Sequence, residues 1–303
     1  MLSRREMLSG AGALTLAACG NSPQNQAVSR VLTPAGKIDK VGLQTYTLRK
    51  MMADDFRGTF QMIKDVGYDY VELNGRNWAE MSPSDLKAML MDIGLPSPAA
   101  HISYDDVAGD DVSALIKTAK TLGLDYAIVP YMSEDQRGLE DWKRHAKVME
   151  AAGRKLADNG IRLAYHNHQF EFEDLGGGTT AMEVLLTETS VEALDFELDI
   201  FWTNLASVDI AALFAAYPGR FKLCHIKDMA GDPKEFLKAN PSYEEIGTNH
   251  MVNVGEGNTD FAAIFALNAL SGMEYFINEH DLPKEPYKNA VATSLKTVRD
   301  LRF

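Results

Sequence analysis

With 303 residues, 46% of them apolar, the chain can bury either one large core or two smaller ones. Its formal charge of −13, with no basic stripe beyond the extreme N-terminus, weighs against a nucleic-acid partner, because binding a phosphate backbone depends on Lys and Arg displacing counterions. With Cys19 and Cys224 as the only cysteines, a disulfide framework and a cysteine-rich zinc site are both excluded.

The first residues read as an address. Ser3-Arg4-Arg5-Glu6-Met7-Leu8 carries twin arginines, and the small, apolar run from Leu8 to Ala18 is too short for an ordinary membrane-spanning helix. The stretch resembles a twin-arginine export signal, and Leu16-Ala17-Ala18-Cys19 resembles a lipoprotein cleavage and acylation site. That resemblance implies a signal over 1–19, a periplasmic mature protein whose membrane contact is a lipid on Cys19, and a polar linker over 20–39.

From Lys40 onward, short apolar runs alternate with helical patterns. Strands are predicted over 41–46, 68–73, 97–102, 126–130, 162–166, 194–200, 221–226 and 275–279. Helices are predicted over 56–66, from Pro83 behind the cap Ser82 to Gly94, and over 112–122, 134–159, 181–186, 209–217, 261–270 and 287–300. Such strand-then-helix units argue for one α/β domain over 40–303, a (β/α)8 TIM barrel. A doubly wound open sheet is the alternative, but Thr45-Tyr46-Thr47-Leu48-Arg49 after the first strand lacks the glycines of a phosphate loop. The long segment 228–260 breaks the rhythm and is expected to cover the barrel mouth.

Active sites in such barrels gather where the strands end. Those ends carry Gln44, Glu72, His101, His166 with His168, Asp199, His225 with Lys227, and Glu279. Because side chains alternate along a strand, His166 and His168 project to one side, and imidazoles beside carboxylates suit a borderline divalent metal. Of the three acids alternating on one strand, Asp199 is the expected ligand, Glu197 is expected to bond structural neighbours, and Asp195 to sit at the solvent end. Trp202 is expected to wall the pocket, Trp78 is a further stacking candidate, and Trp142 reads as helix packing. His145, on a polar helix face, and His250, in the long insert, are assigned no catalytic role. Gly255-Glu256-Gly257 reads as a turn that presents Glu256 to substrate, since a glutamate there repels phosphate.

From Lys40 to the C-terminus the chain resembles the sugar phosphate isomerase/epimerase superfamily, the xylose isomerase-like or AP endonuclease family 2 barrels. The resemblance rests on Val41-Gly42-Leu43-Gln44-Thr45-Tyr46, Tyr70-Val71-Glu72-Leu73, Tyr165-His166-Asn167-His168, Glu197-Leu198-Asp199, Cys224-His225-Ile226-Lys227-Asp228, Val254-Gly255-Glu256-Gly257 and Asn278-Glu279-His280. It implies a metal site of Glu, Asp, His and Glu on the last four strands, with Asp199, His225 and Glu279 in the last three places. His166 stands in the first, which keeps a ligand but removes a negative charge and a possible base.

The resemblance thus implies one divalent ion, Mn, Zn, Co, Fe or Mg, and a sugar isomerase or epimerase working through an enediolate on a free or oxidised sugar. Glu279 is the leading base, with Glu72, His101 and His168 as acid/base or hydroxyl-binding groups and Lys227 as the partner of the developing oxyanion. Gln44, Trp202 and Glu256 complete the expected substrate contacts. Two other readings remain: a lyase that eliminates the aglycone of a keto-glycoside, and a non-catalytic sugar-binding lipoprotein.

Overall fold

Eight short parallel strands pair edge to edge until the last meets the first. They are β1 (Gly42–Gln44), β2 (Tyr70–Asn74), β3 (Ala99–His101), β4 (Tyr126–Val129), β5 (Arg162–His166), β6 (Leu194–Asp199), β7 (Phe221–Ile226) and β8 (Tyr275–Asn278), and pairing of Ile277 with Gly42 closes the barrel. The computed structural model describes residues 32–33, 36–75, 81–109, 111–239, 241–284 and 286–303. The twin-arginine stretch, Cys19, most of the expected linker and Trp78 lie outside them.

Two-residue alternation explains why every strand is buried on both faces. Outward residues such as Val71, Ala100, Leu163 and Leu198 join the helices in the main core. Inward residues form a separate cluster of Tyr70, Ala99, Tyr126, Ile128, Ala164, Leu223, Tyr275 and Ile277. Tyr70 crosses the barrel to donate to the Phe276 carbonyl at 2.9 Å, and only glycine leaves it room: a Cβ at Gly42 would stand 2.2 Å from its ring.

The surrounding helices are α1 (Phe56–Val66), α2 (Pro83–Ile93), α3 (Ser113–Leu122), α4 (Leu139–Ala157), α5 (Ala181–Glu188), α6 (Ile210–Ala216), α7 (Phe261–Phe265) and α8 (Tyr287–Asp300). Ser82 caps α2 by accepting from the Asp85 amide, with Pro83 in the first turn, as predicted. Two predicted spans are corrected. The helix expected from residue 134 starts at Leu139, because Glu134–Gln136 forms a 3-10 turn and the Asp141 carboxylate caps the Gly138 amide. The helix expected over 261–270 breaks after Phe265 and resumes at Asn268–Ser271, where the Asn268 side chain competes for the Met273 amide.

The end of the expected linker also belongs to the folded body. Leu32–Thr33 pairs with Lys37–Ile38, Ile38 is fully buried, and the Phe303 amide donates to the Gly36 carbonyl at 3.0 Å. Among the described residues no helix is long and apolar enough to cross a membrane.

The long insert is packed rather than loose. Asp228–Met229 pairs with Met251–Val252, and Met229, Ile246 and Met251 bury a side cluster with Phe201, Trp202 and Leu205. Asp228 fastens its return: its carboxylate accepts from the amides of Met229, Gly255, Gly257 and Thr259 at 2.8–3.2 Å. A Cβ at Gly257 would lie 2.4 Å from that carboxylate, so the second glycine of the Gly-Glu-Gly turn is there for close approach. Asp228→Ala strands several amides at once, and urea unfolding is expected to show a loss of at least about 2 kcal/mol. A variant as stable as the parent shows that water replaces the carboxylate without cost.

Candidate functional site

The inward register that is apolar at the bottom of the barrel turns polar at the top. Following it upward gives Tyr70, Glu72 and Asn74; Ala99 and His101; Ala164 and His166; Asp195, Glu197 and Asp199; Leu223, His225 and Lys227; and Ile277, Glu279 and Asp281. The closed barrel therefore brings strand ends that are far apart in sequence into one buried polar cluster.

His166, Asp199, His225 and Glu279 place their ligand-capable atoms within 4.8 Å of one another, and all four residues are buried. His225 Nδ1 lies 2.7 Å from Glu279 Oε2 and 3.9 Å from Asp199 Oδ2, and His166 Nε2 lies 3.7 Å from the same Asp199 oxygen. Yet His225 Nδ1 and Asp199 Oδ2 make no hydrogen bond. Buried lone-pair atoms that converge without satisfying one another leave a cost that a shared cation removes. The donor set, two imidazoles and two carboxylates, fits a divalent metal of intermediate softness.

A deeper layer orients these groups. His225 turns its other nitrogen to Glu72 Oε1 at 2.8 Å and Glu197 Oε2 at 3.2 Å, while His166 Nδ1 faces the same Glu197 oxygen at 3.2 Å. His101 Nε2 bridges Glu197 and Glu72 at 2.9 and 3.0 Å. Carboxylates behind ligand imidazoles set the ring orientation and tautomer. His101, His166, Glu197 and His225 form a second metal-competent group, but it shares His166 and His225 with the first.

Lys227 supplies a positive charge held at the centre of the cluster. Its buried ammonium lies 2.7 Å from Glu279, 2.9 Å from Asp281 and 3.0 Å from Asp199. Burial alone would lower its pKa, but Asp199, Asp281 and Glu279 outweigh that and hold it well above the ordinary lysine value. Burial pushes Asp199 up to about 6, opposed by Lys227 and His225. Burial and then the neighbouring cationic groups hold His166 well below the usual histidine value, whereas His225, against its own burial, is held well above it by Glu197, Glu279 and Glu72. His101 goes the other way: burial opposes its charge, but Glu72 and Glu197 raise it to about 9.

Above this cluster opens a cavity of about 600 Å³, lined by His101, His166, His168, Lys227, Glu279 and Asp281 at its base and by Tyr131, Arg137, Phe170 and Tyr243 at its sides. Tyr243 comes from the long insert and donates to Asp281 at 2.5 Å, so that segment builds part of the wall, as expected. His168 packs between Phe170, stacked at 5.5 Å, and His166, 5.2 Å away.

The turn that carries His168 is pinned by a residue overlooked in the sequence. Glu171 is fully buried and accepts from the Tyr165 hydroxyl at 2.5 Å and the His168 amide at 2.7 Å. Burial raises it to about 7 despite both donors. A carboxyl group whose folded pKa exceeds its ordinary 4.5 contributes most to stability below pH 4.5, and that contribution fades as pH rises through 7. Relative to Glu171→Gln, the parent is therefore expected to lose about 3 kcal/mol between pH 4.5 and 7.5, by urea unfolding at both values. Parallel pH dependences would show instead that Glu171 titrates normally.

Several expected roles are corrected. Gln44 is buried away from the cavity, donating to Glu72 at 2.6 Å and accepting from the Tyr46 amide. Glu72 lies behind His225, not against the cavity. Trp202 is fully buried in the first turn after β6, stacked on Tyr243 and beside His168, so it backs the wall without forming it. Glu256 is exposed and accepts from Asn253, because its turn is drawn toward Asp228 instead. Glu197 bonds the site histidines rather than structural neighbours, and Asp195 is buried against Arg162 and Tyr126 rather than solvated. His145 is buried, held by Tyr104 and the Gln136 carbonyl, and stays outside the site, as does His250, which stacks on Phe236.

Closed barrel, polar C-terminal mouth and buried His/carboxylate centre together define a TIM barrel with a metal-competent active-site cleft. The model of the xylose isomerase-like TIM barrel family, AP endonuclease 2, matches residues 60–300, and the chain belongs to that family. A sugar phosphate isomerase/epimerase structure from Parabacteroides distasonis superposes with a TM-score of 0.66 at 22% identity, covering 91% of this chain and 97% of the other. The 3-keto-D-glucoside 4-epimerase YcjR of E. coli does so with a TM-score of 0.61 at 18% identity, over 86% and 99% of the two chains. An inosose dehydratase from Lacticaseibacillus casei is 28% identical over 151 residues, 49% of this chain and 48% of the relative. The chain thus spans about half the length of the curated relatives it matches.

Proposed function

We propose that the protein is a metal-dependent sugar isomerase or epimerase that moves the proton on the carbon beside a carbonyl, acting on a free or oxidised sugar. The observation that carries this reading is the convergence of His166, Asp199, His225 and Glu279 beneath a cavity that His166 and Glu279 line, with His225 Nδ1 and Asp199 Oδ2 buried and without a hydrogen bond. When bound there, a divalent ion supplies a Lewis acid for a neighbouring hydroxyl and carbonyl pair.

The chain's own groups divide the remaining work. Lys227, fixed by three carboxylates yet facing the cavity, holds the oxygen on which negative charge grows as the C–H bond breaks. Glu279 and His168 both line the cavity and are the candidates to take the proton. Return of the proton to the opposite face gives an epimer, and return to the adjacent carbon gives an isomer.

A second reading, elimination of a β-substituent from the same intermediate, is favoured by the inosose dehydratases among the curated relatives. Incubation of keto-sugars with the protein in deuterium oxide separates the two. Deuterium in recovered or epimerised sugar supports the first, an unsaturated product or a released aglycone supports the second, and neither with any keto-sugar removes both.

The twin arginines and the Leu16–Cys19 stretch support export and lipid attachment at Cys19. Labelled palmitate incorporation that survives Cys19→Ser would overturn that attachment.

A further inference from the structure

Arg137 stands at the side of the cavity in an unusual state for a chain of net charge −13: among the described residues it has no carboxylate within 4.0 Å. Its guanidinium carbon lies over the Phe170 ring, 3.4 Å from the centroid, with the Tyr131 ring at 4.9 Å, and its Nε donates to the Met132 carbonyl at 2.9 Å. The ring contact and that bond hold the group in place and leave its two terminal nitrogens without a hydrogen-bond acceptor among the described residues. Phe170 in turn stacks on His168, so this fork lies one ring away from the reacting end of the cavity.

We propose that Arg137 determines specificity by binding a carboxylate on the substrate, which makes the substrate class a sugar acid rather than a neutral sugar. The assignment rests on the reading that the cavity takes a sugar. A planar, fixed guanidinium edge matches a carboxylate with two parallel hydrogen bonds. A phosphate, with about −1.5 to −2 charges, matches less well beside Glu279 and Asp281 in a cavity whose described lining residues include one unpaired cation.

Titration calorimetry of the metal-loaded protein with D-glucuronate, D-glucose and D-glucose 6-phosphate tests this without turnover. Glucuronate is expected to bind about tenfold or more tighter than glucose. The ratio is expected to collapse to about one in Arg137→Gln and to be intermediate in Arg137→Lys, which keeps the charge but not the fork. A parent ratio near one, no glucuronate binding, tighter binding of the phosphate, or an unchanged ratio in both variants overturns the proposal. Should Arg137→Gln fail to fold, the Arg137→Lys ratio decides. Glucuronate preference without deuterium exchange in any sugar sinks the catalytic reading alone, and exchange without that preference sinks the Arg137 assignment alone.

Discussion

Asp199→Asn is expected to lose its metal and its activity together: about one ion per chain in the parent by elemental analysis, less than about a tenth in the variant, and a fall in kcat/KM of roughly a thousandfold, or about 4 kcal/mol. The substitution is chosen because it separates ligation from folding. Asp199 Oδ1 caps the helix Ile200–Leu205 by accepting from the Trp202 amide at 3.0 Å, and an asparagine oxygen can take the same bond. What disappears is the anionic Oδ2 that faces His166, His225 and Lys227. Thermal melting gives an independent readout, because a ligand that binds only the folded state raises stability as RT ln(1 + [L]/Kd). Added divalent ion should raise the melting temperature of the parent and leave that of Asp199→Asn unchanged. A variant that keeps both metal and turnover removes Asp199 from the centre.

The barrel was legible because its physics repeats. Strands buried on both faces read as apolar runs, helices announced themselves by Ser82-Pro83 and Gly94, and alternation placed His166, Asp199, His225 and Glu279 on inward faces. The same alternation, carried one step beyond Glu72 and Glu279, reaches Asn74 and Asp281, both of which line the cavity. With the second and eighth strands predicted to end at residues 73 and 279, neither stood out as a candidate.

Glu197 was misplaced for a different reason. On sequence alone the three acids of one strand divide into a ligand, a structurally bonded residue and a solvated one, whereas the histidines of the site are the partners that make the burial of Glu197 tolerable. Trp202, Gln44 and Glu256 show a limit of another kind. Nearness to the mouth in sequence does not give contact with the cavity: Trp202 follows the chain into a helical turn at Ile200, Gln44 ends β1 but is tied to Glu72, and Glu256 sits in a turn drawn toward Asp228. Tyr243 comes from the insert that breaks the rhythm and Arg137 from the stretch expected to open a helix at residue 134, and only the fold reveals that they meet the same cavity.

Lys227→Met is expected to keep the metal and lose the chemistry, with deuterium exchange falling by about a hundredfold or more. The ammonium contacts Asp199 and Glu279, two of the residues that would ligate the ion, so it competes for their charge while screening their mutual repulsion. Removing it should leave metal affinity equal or higher. In protein stripped of metal the same change leaves buried carboxylates without their cation, at a cost of about 3–5 kcal/mol by analogy with broken buried pairs, and loading the ion should restore most of that loss. This reversal distinguishes two roles. A Lys227→Met protein that is destabilised when stripped, restored when loaded and still inactive identifies Lys227 as the group that holds the developing charge. One that regains exchange on loading shows that the lysine serves only as a counter-charge, and the oxyanion must then be held by the ion and by His101.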